Sequence, residues 1–168
     1  MLILHEVFYS DKIQAGQSRK DIFMEIKVKK LSPDAKMPTR ATDGSAGFDL
    51  YVHCHNPMPV NPGDIVKVPT GISIALPDEN YAAFIYARSG LATKFGITLA
   101  NCVGVVDSDY RGEIIISVCN LSKKKHIINP FERIAQMVIA PIAVPSLCEV
   151  GELPQTKRGD KGFGSTGR

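Results

Sequence analysis

The sequence predicts an all-β protein, and three observations carry that prediction. Short runs rich in Val, Ile, Phe and Tyr recur about every ten residues, each bounded by Pro, Gly, Asn or Asp. Within several of these runs apolar and polar residues alternate, the period of a half-buried strand. Only Ser89 to Phe95 has the makings of a helix, and a short one. Strands at this spacing with Pro/Gly punctuation are the pattern of a sandwich or jelly roll. A chain of 168 residues fits one domain. At that length folding buries about 70% of the unfolded surface, so neither a disulfide nor a metal is needed to hold the core.

In chain order, residues 1–22 form an extension whose apolar start, Met1-Leu-Ile-Leu, is followed at once by Glu6 and Asp11. That argues against a signal or transit peptide. The extension is expected to be poorly ordered, or to precede a true start at Met24. Phe23 to Lys30 alternates Met24, Ile26 and Val28 against Glu25, Lys27 and Lys29, a strand with a charged outer face. Ser32 to Arg40 is a connection, and Phe48 to Val52 a short strand. Pro57, Pro59, Pro62 and Gly63 mark turns before strands at Ile65 to Val68, Gly71 to Leu76 and Tyr81 to Ala87. Two β-branched runs, Asn101 to Val106 and Ile114 to Asn120, flank Asp107-Ser-Asp and predict a β-hairpin. Ile127-Ile128 leads to a turn at Asn129-Pro130, and Arg133 to Ile142 is the last strand. From Pro154 the composition shifts to Gly, Lys, Arg, Ser and Thr, the signature of a mobile tail. The domain is therefore expected at 23–153 and a glycine-rich arm at 154–168.

The net charge of +3 suits an anionic small ligand and is too weak to indicate a nucleic-acid partner. No apolar run approaches the roughly 20 residues of a membrane span. Cys54, Cys102, Cys119 and Cys148 are widely spaced, with no C-x-x-C pair. They point to reduced thiols and an intracellular, cytoplasmic setting, with Cys102 and Cys119 as small residues of buried strands.

Several positions carry chemistry. Asp107, at the end of the hairpin's first strand, is a candidate general base. Arg88-Ser89-Gly90 lies where a strand gives way to a helix, and reads either as a phosphate site or as an N-cap serine beside a surface arginine. Gly159 to Gly167 lacks the spacing of a Walker loop. It is either a disordered tail or a wrap for polyphosphate, with Phe163 free to stack on a base. Gln136 interrupts an apolar run and either meets water or donates to an anion. Asp49 faces away from Phe48 and Leu50, as an outer-face carboxylate or as a partner for a site. His53 and His55 share one strand face without a third metal ligand in view.

Taken in order, five short motifs stand out: Ala46-Gly-Phe-Asp49-Leu, Arg88-Ser-Gly-Leu-Ala92, Gly104-Val-Val-Asp107-Ser-Asp-Tyr110-Arg-Gly112, Arg133-Ile-Ala-Gln136, and Arg158-Gly-Asp-Lys-Gly-Phe163-Gly-Ser-Thr-Gly167. Together they closely resemble the trimeric dUTP diphosphatase (dUTPase) family, and residues 1–22 lie outside the resemblance. It implies a single-domain, jelly-roll-like β-barrel subunit in a homotrimer, with active sites shared between subunits and closed by the C-terminal arm. The implied reaction converts dUTP and water to dUMP and diphosphate, with Mg2+ held through the triphosphate and water. By position, Asp107 resembles the general base acting on the water that attacks the α-phosphate. Asn101 and the backbone of Gly104, Val105 and Val106 resemble the uracil-reading wall. Tyr110 resembles the ring under the deoxyribose, and Phe163 the ring that stacks on uracil. Arg88, Ser89, Gly90, Gln136, Arg158, Gly164 and Ser165 resemble phosphate ligands, and Asp49 a supporting carboxylate.

The chain departs from the family pattern at Ala87, where proline usually precedes Arg-Ser-Gly. It departs again at Asp160-Lys161, where small residues are usual. Three rival readings remain: a dCTP deaminase, which would need a catalytic glutamate near the hairpin; a dUTPase-like module for protein interaction; and a plain jelly-roll ligand binder.

Overall fold

The computed structural model describes residues 24–160 and 162. Eleven strands and one helix follow in the order β1 (Lys27–Lys30), β2 (Phe48–Tyr51), β3 (Met58–Val60), β4 (Ile65–Pro69), β5 (Ile72–Ala75), β6 (Tyr81–Ala87), α1 (Ser89–Phe95), β7 (Ile97–Leu99), β8 (Val103–Val106), β9 (Ile115–Asn120), β10 (His126–Ile128) and β11 (Arg133–Pro141). They form a four-stranded sheet in the order β2-β11-β6-β8, a three-stranded sheet β4-β9-β7, and two ladders, β1-β5 and β10-β3. Each of these pairings is antiparallel. All four sheets contribute to one core. Leu50, Val60, Val68, Val118 and Ile128 are fully buried there, joined by Ile72 and Met137. Each such side chain contributes about 1.5–3 kcal/mol relative to exposure. The architecture is the expected jelly-roll-like, all-β fold.

Two strands escaped the sequence pattern. β3 runs through Pro59, a residue that reads as a turn, and is tolerated in a three-residue ladder whose register sets Pro59 opposite Ile127. β7 is also only three residues long. The helix falls where the sequence placed it, and its end is set by Gly96. That residue adopts φ 68° and returns its N–H to the carbonyl of Ala92 at 3.0 Å. The extended Arg88 occupies the N-cap position without a side-chain bond to the helix, so Ser89 is not the N-cap.

One buried polar side chain fixes the far end of β9. Asn120, 1% exposed, donates to the carbonyls of Val60 (2.9 Å) and Lys124 (2.8 Å). Its Oδ1 accepts from the Ser122 N–H at 2.9 Å and the Ser122 hydroxyl at 2.7 Å. With every polar atom paired, the group costs little to bury. Beyond β11 the described chain has neither helix nor strand, and Val144, Leu147 and Leu153 are exposed. No described helix is long and apolar enough to cross a membrane. The 1–22 extension lies outside the described residues.

Candidate active site

The runs flanking Asp107 do not form a hairpin ladder. β8 pairs with β6, Val106 opposite Ala83 and Val103 opposite Tyr86, while β9 pairs with β4 and β7. The chain leaves one sheet at Asp107 and enters the other after Gly112. Strong β propensity on both sides of a turn specifies two strands, but not that they pair with each other. The consequence matters for chemistry. β8 is an edge strand, and the side away from β6 opens onto a cleft of about 120 Å³. Asn101, Gly104, Val105 and Val106 line it on one side, Ile114 to Ser117 on the other. Unpaired peptide groups at such an edge are ready to bond a planar ligand.

Asn101 lies in a turn before β8, with the Val103 N–H donating to its carbonyl at 2.6 Å. Cys102 beside it has φ 60° and is exposed, so it is not the buried strand residue that the sequence suggested. Gly104 has a steric role: a Cβ there would lie 3.2 Å from Cβ of Ile85. The glycine lets the edge strand sit tightly on its neighbour.

A second cleft, of about 220 Å³, is lined by Val105, Val106, Asp107, Tyr110, Glu113 and Ile115. It shares Val105, Val106 and Ile115 with the first, so the strand edge and the Asp107 carboxylate border connected space. The Asp107 carbonyl accepts the Tyr110 N–H at 3.2 Å. Arg111 Nη1 donates to the carbonyls of Ser108 (2.7 Å) and Tyr110 (2.9 Å), closing the turn that follows Asp107.

At the other end of the four-stranded sheet, Asp49 draws two arginines together. Arg88 Nε lies 3.0 Å from its Oδ1, and Arg133 Nη1 lies 3.1 Å from its Oδ2. The Asp49 side chain is only 12% exposed, so this is a sheltered pair of charge-assisted bonds. Arg88 also donates through Nη1 to the Arg133 carbonyl at 3.1 Å. Gln136 stands opposite Asp49 across the β2–β11 ladder and donates its amide to the Ala87 carbonyl at 3.1 Å. Ser89 and Gly90 are exposed beside this cluster, in the first turn of α1, where helical N–H groups lack intrahelical partners.

The structure brings together Asp49, Arg88 and Gln136, which the sequence marked separately as a supporting carboxylate and two phosphate ligands, and adds Arg133, for which it singled out no role. Its signal was its place at the head of the Arg133-Ile-Ala-Gln136 run, which the folded ladder sets opposite Tyr51, two residues from Asp49. Arg158 is described and engaged in contacts of its own. Phe163, Gly164 and Ser165 lie outside the described residues. His53 is committed elsewhere, its Nε2 at 3.1 Å from Asp34. Among the described residues no group of three or more His, Cys, Asp or Glu is arranged to hold a metal.

A β protein with an open strand edge, a neighbouring carboxylate and a carboxylate-bound arginine pair has the elements of a nucleotide site. Comparison with known proteins is specific. A family model described as dUTPase matches residues 33–167. The deoxyuridine 5'-triphosphate nucleotidohydrolase of Burkholderia thailandensis is 50% identical over 139 residues, 80% of this chain and 94% of that protein. Its counterpart in Caldanaerobacter subterraneus subsp. tengcongensis is 48% identical over 146 residues, 87% of this chain and 98% of that protein. Among solved structures, Staphylococcus bacteriophage 80alpha dUTPase with dUpNHpp superimposes with a TM-score of 0.73 at 28% identity, covering 86% of this chain and 99% of that one. The chain belongs to the dUTPase family.

Proposed function

We propose that this chain hydrolyses dUTP to dUMP and diphosphate by attack of water on the α-phosphate, with Asp107 as the general base. The observation that carries this reading is the continuity between the open edge of β8 and the cleft that Asp107 borders. Uracil presents an acceptor–donor–acceptor edge, which peptide groups of Gly104, Val105 and Val106 can match without a charged side chain. Asn101 adds an amide at the same wall. Tyr110 then lies under the sugar, and Asp107 takes the proton from the attacking water. A positioned base of this kind contributes about 10²–10⁴-fold. Removing dUTP limits uracil incorporation into DNA, and the dUMP formed is the precursor of thymidylate.

Phosphate binding falls to the other cluster. Asp49 holds the Arg88 and Arg133 guanidiniums side by side, Gln136 supports the strand end, and Ser89 and Gly90 supply a hydroxyl and backbone N–H groups. Arg158, Gly164 and Ser165 belong to the arm that completes this cage, and Phe163 stacks on the base. The substrate is the Mg2+ complex of dUTP. Both oxygens of Asp49 are engaged by arginine, and the metal would be held through the phosphates and water. When bound, Mg2+ neutralises charge on the triphosphate.

Within one chain the two clusters lie at opposite ends of β6. Val106 stands opposite Ala83 and Arg88 follows Ala87, five residues on. At about 3.3 Å per residue that is roughly 17 Å along the strand. An α-phosphate beside Asp107 cannot also sit on the same chain's Arg88. A site shared between copies resolves this, as a homotrimer in which one subunit's edge faces another's arginines. The proposed subunit comprises an N-terminal extension at 1–22, the β domain at 23–153 and an arm at 154–168, and works in the cytoplasm.

The rival deaminase reading is disfavoured by the Asp107-Ser-Asp-Tyr110 turn and the Phe163-Gly-Ser-Thr-Gly167 arm sequence, both of which follow the hydrolase pattern. The deciding experiment measures diphosphate release from dUTP, dCTP, dTTP and UTP, with and without Mg2+, alongside ammonia release from dCTP. Diphosphate from dUTP alone, enhanced by Mg2+, is expected. Ammonia from dCTP without diphosphate would overturn the reading.

A further inference from the structure

We propose that Glu113 is a positioning residue for sugar discrimination, holding Tyr110 in the pose that excludes a 2′-hydroxyl. This rests on the reading of Tyr110 as the ring beneath the deoxyribose. Tyr110 is 45% exposed, so burial does not fix its ring. What fixes it is a hydrogen bond from its hydroxyl to the Glu113 carbonyl at 3.0 Å, with the ring laid over Gly112. A Cβ at Gly112 would stand 2.6 Å from Cζ of Tyr110, so only glycine admits this pose.

The Glu113 carbonyl is in turn held by the residue's own side chain. Its Oε1 accepts the Gly71 N–H at 2.7 Å, across a part-buried link between the β4–β5 corner and the start of β9. That corner is closely packed and hydrogen-bonded. Gly71 has φ 68°, and a Cβ there would lie 2.7 Å from both Cβ of Ala35 and Cγ of His53. Its carbonyl accepts the Leu31 N–H at 2.8 Å. Thr70, 1% exposed, donates its hydroxyl to the Ile114 carbonyl at 2.6 Å, and the Ile114 N–H donates to the Ile72 carbonyl at 2.9 Å. The path from buried corner to exposed ring therefore passes through Glu113 twice, by side chain and by main chain. Glu113 also borders the cleft that holds Asp107 and Tyr110, so a shift in its backbone is felt where the sugar lies.

The test compares kcat/KM for dUTP and UTP in the wild-type protein, Tyr110→Ala, Glu113→Ala and Glu113→Gln, with melting temperatures recorded for each. Loss of one positioning hydrogen bond predicts that Glu113→Ala lowers the dUTP-to-UTP ratio about tenfold. Glu113→Gln keeps an acceptor for Gly71 and restores the ratio to within about twofold. A ratio unchanged in Glu113→Ala but lowered in Tyr110→Ala overturns the inference while leaving the Tyr110 reading intact. An unchanged ratio in Tyr110→Ala shows instead that the Tyr110 reading has failed. A lowered melting temperature with an unmoved ratio assigns Glu113 a purely structural role and also overturns the proposal. If Glu113→Ala does not fold, Glu113→Asp, one methylene too short for Gly71, decides the same comparison.

Discussion

Asp49 sits opposite Gln136 on one ladder and binds two arginines, so a single carboxylate organises the cationic end of the candidate site. Asp49→Asn keeps the shape but removes the charge that orients both guanidiniums. We expect KM for dUTP to rise about tenfold, the scale of a lost charge-assisted bond, with a smaller fall in kcat. Steady-state kinetics checks this. A further residue-scale prediction concerns pH. The Ser32 hydroxyl and, secondarily, His53 hold the Asp34 carboxyl down from its usual 3.8 to about 2. A depressed carboxylate contributes stability that is fully present above its unfolded value and is lost as pH falls through its folded one. Asp34→Asn should therefore flatten the acid limb of the stability curve between about pH 4 and 2, measured by denaturant titration at successive pH values; because Asp34 is solvent-exposed, the effect is small. At this scale the sequence draws attention to residues that stand out from their own runs, as Asp107, Gln136 and Asp49 do. Arg133 is not among them, because its role arises from a partner 84 positions away that only the ladder brings near.

At the scale of elements, strands were legible by alternation and punctuation, and α1 by its lone helical run. Tyr81 to Ala87 was read to the residue. Pairing was not legible. Two β-branched runs separated by a short polar turn look like a hairpin, yet Asp107 to Gly112 is a crossing between sheets. Tertiary packing decided the partners, and the cleft exists because β8 and β9 do not pair. The junction of α1 with the loop after β9 gives a direct stability test. Gly96 has φ 68°, and a Cβ there would approach the Ser122 backbone nitrogen to 2.9 Å. Gly96→Ala should cost about 1–3 kcal/mol, read by chemical denaturation, with the site's residues untouched.

Over the whole molecule, the separation of Asp107 from Arg88 along β6 is what the proposed sharing of a site between chains rests on. Exposed Val144, Leu147 and Leu153 in the segment after β11 suit burial against other copies. A trimer mass by sedimentation is expected. Mixing Asp107→Asn and Arg88→Ala chains should regenerate active sites that neither variant forms alone. Deleting residues 158–168 should remove most turnover while leaving the oligomer intact, because the proposed role of the arm is to complete a site rather than the core. The arm was read from its composition alone, and a contact between chains, as proposed for it, leaves no period in one sequence.

The central claim is that water attacks the α-phosphate with Asp107 as its base, and the fate of isotopically heavy oxygen tests it most directly. When dUTP is hydrolysed in heavy-oxygen water, mass spectrometry locates the label in the products. We predict label in dUMP and none in diphosphate, at a rate reduced at least about a hundredfold in Asp107→Asn. Label in diphosphate, or an undiminished rate in that variant, would contradict the account.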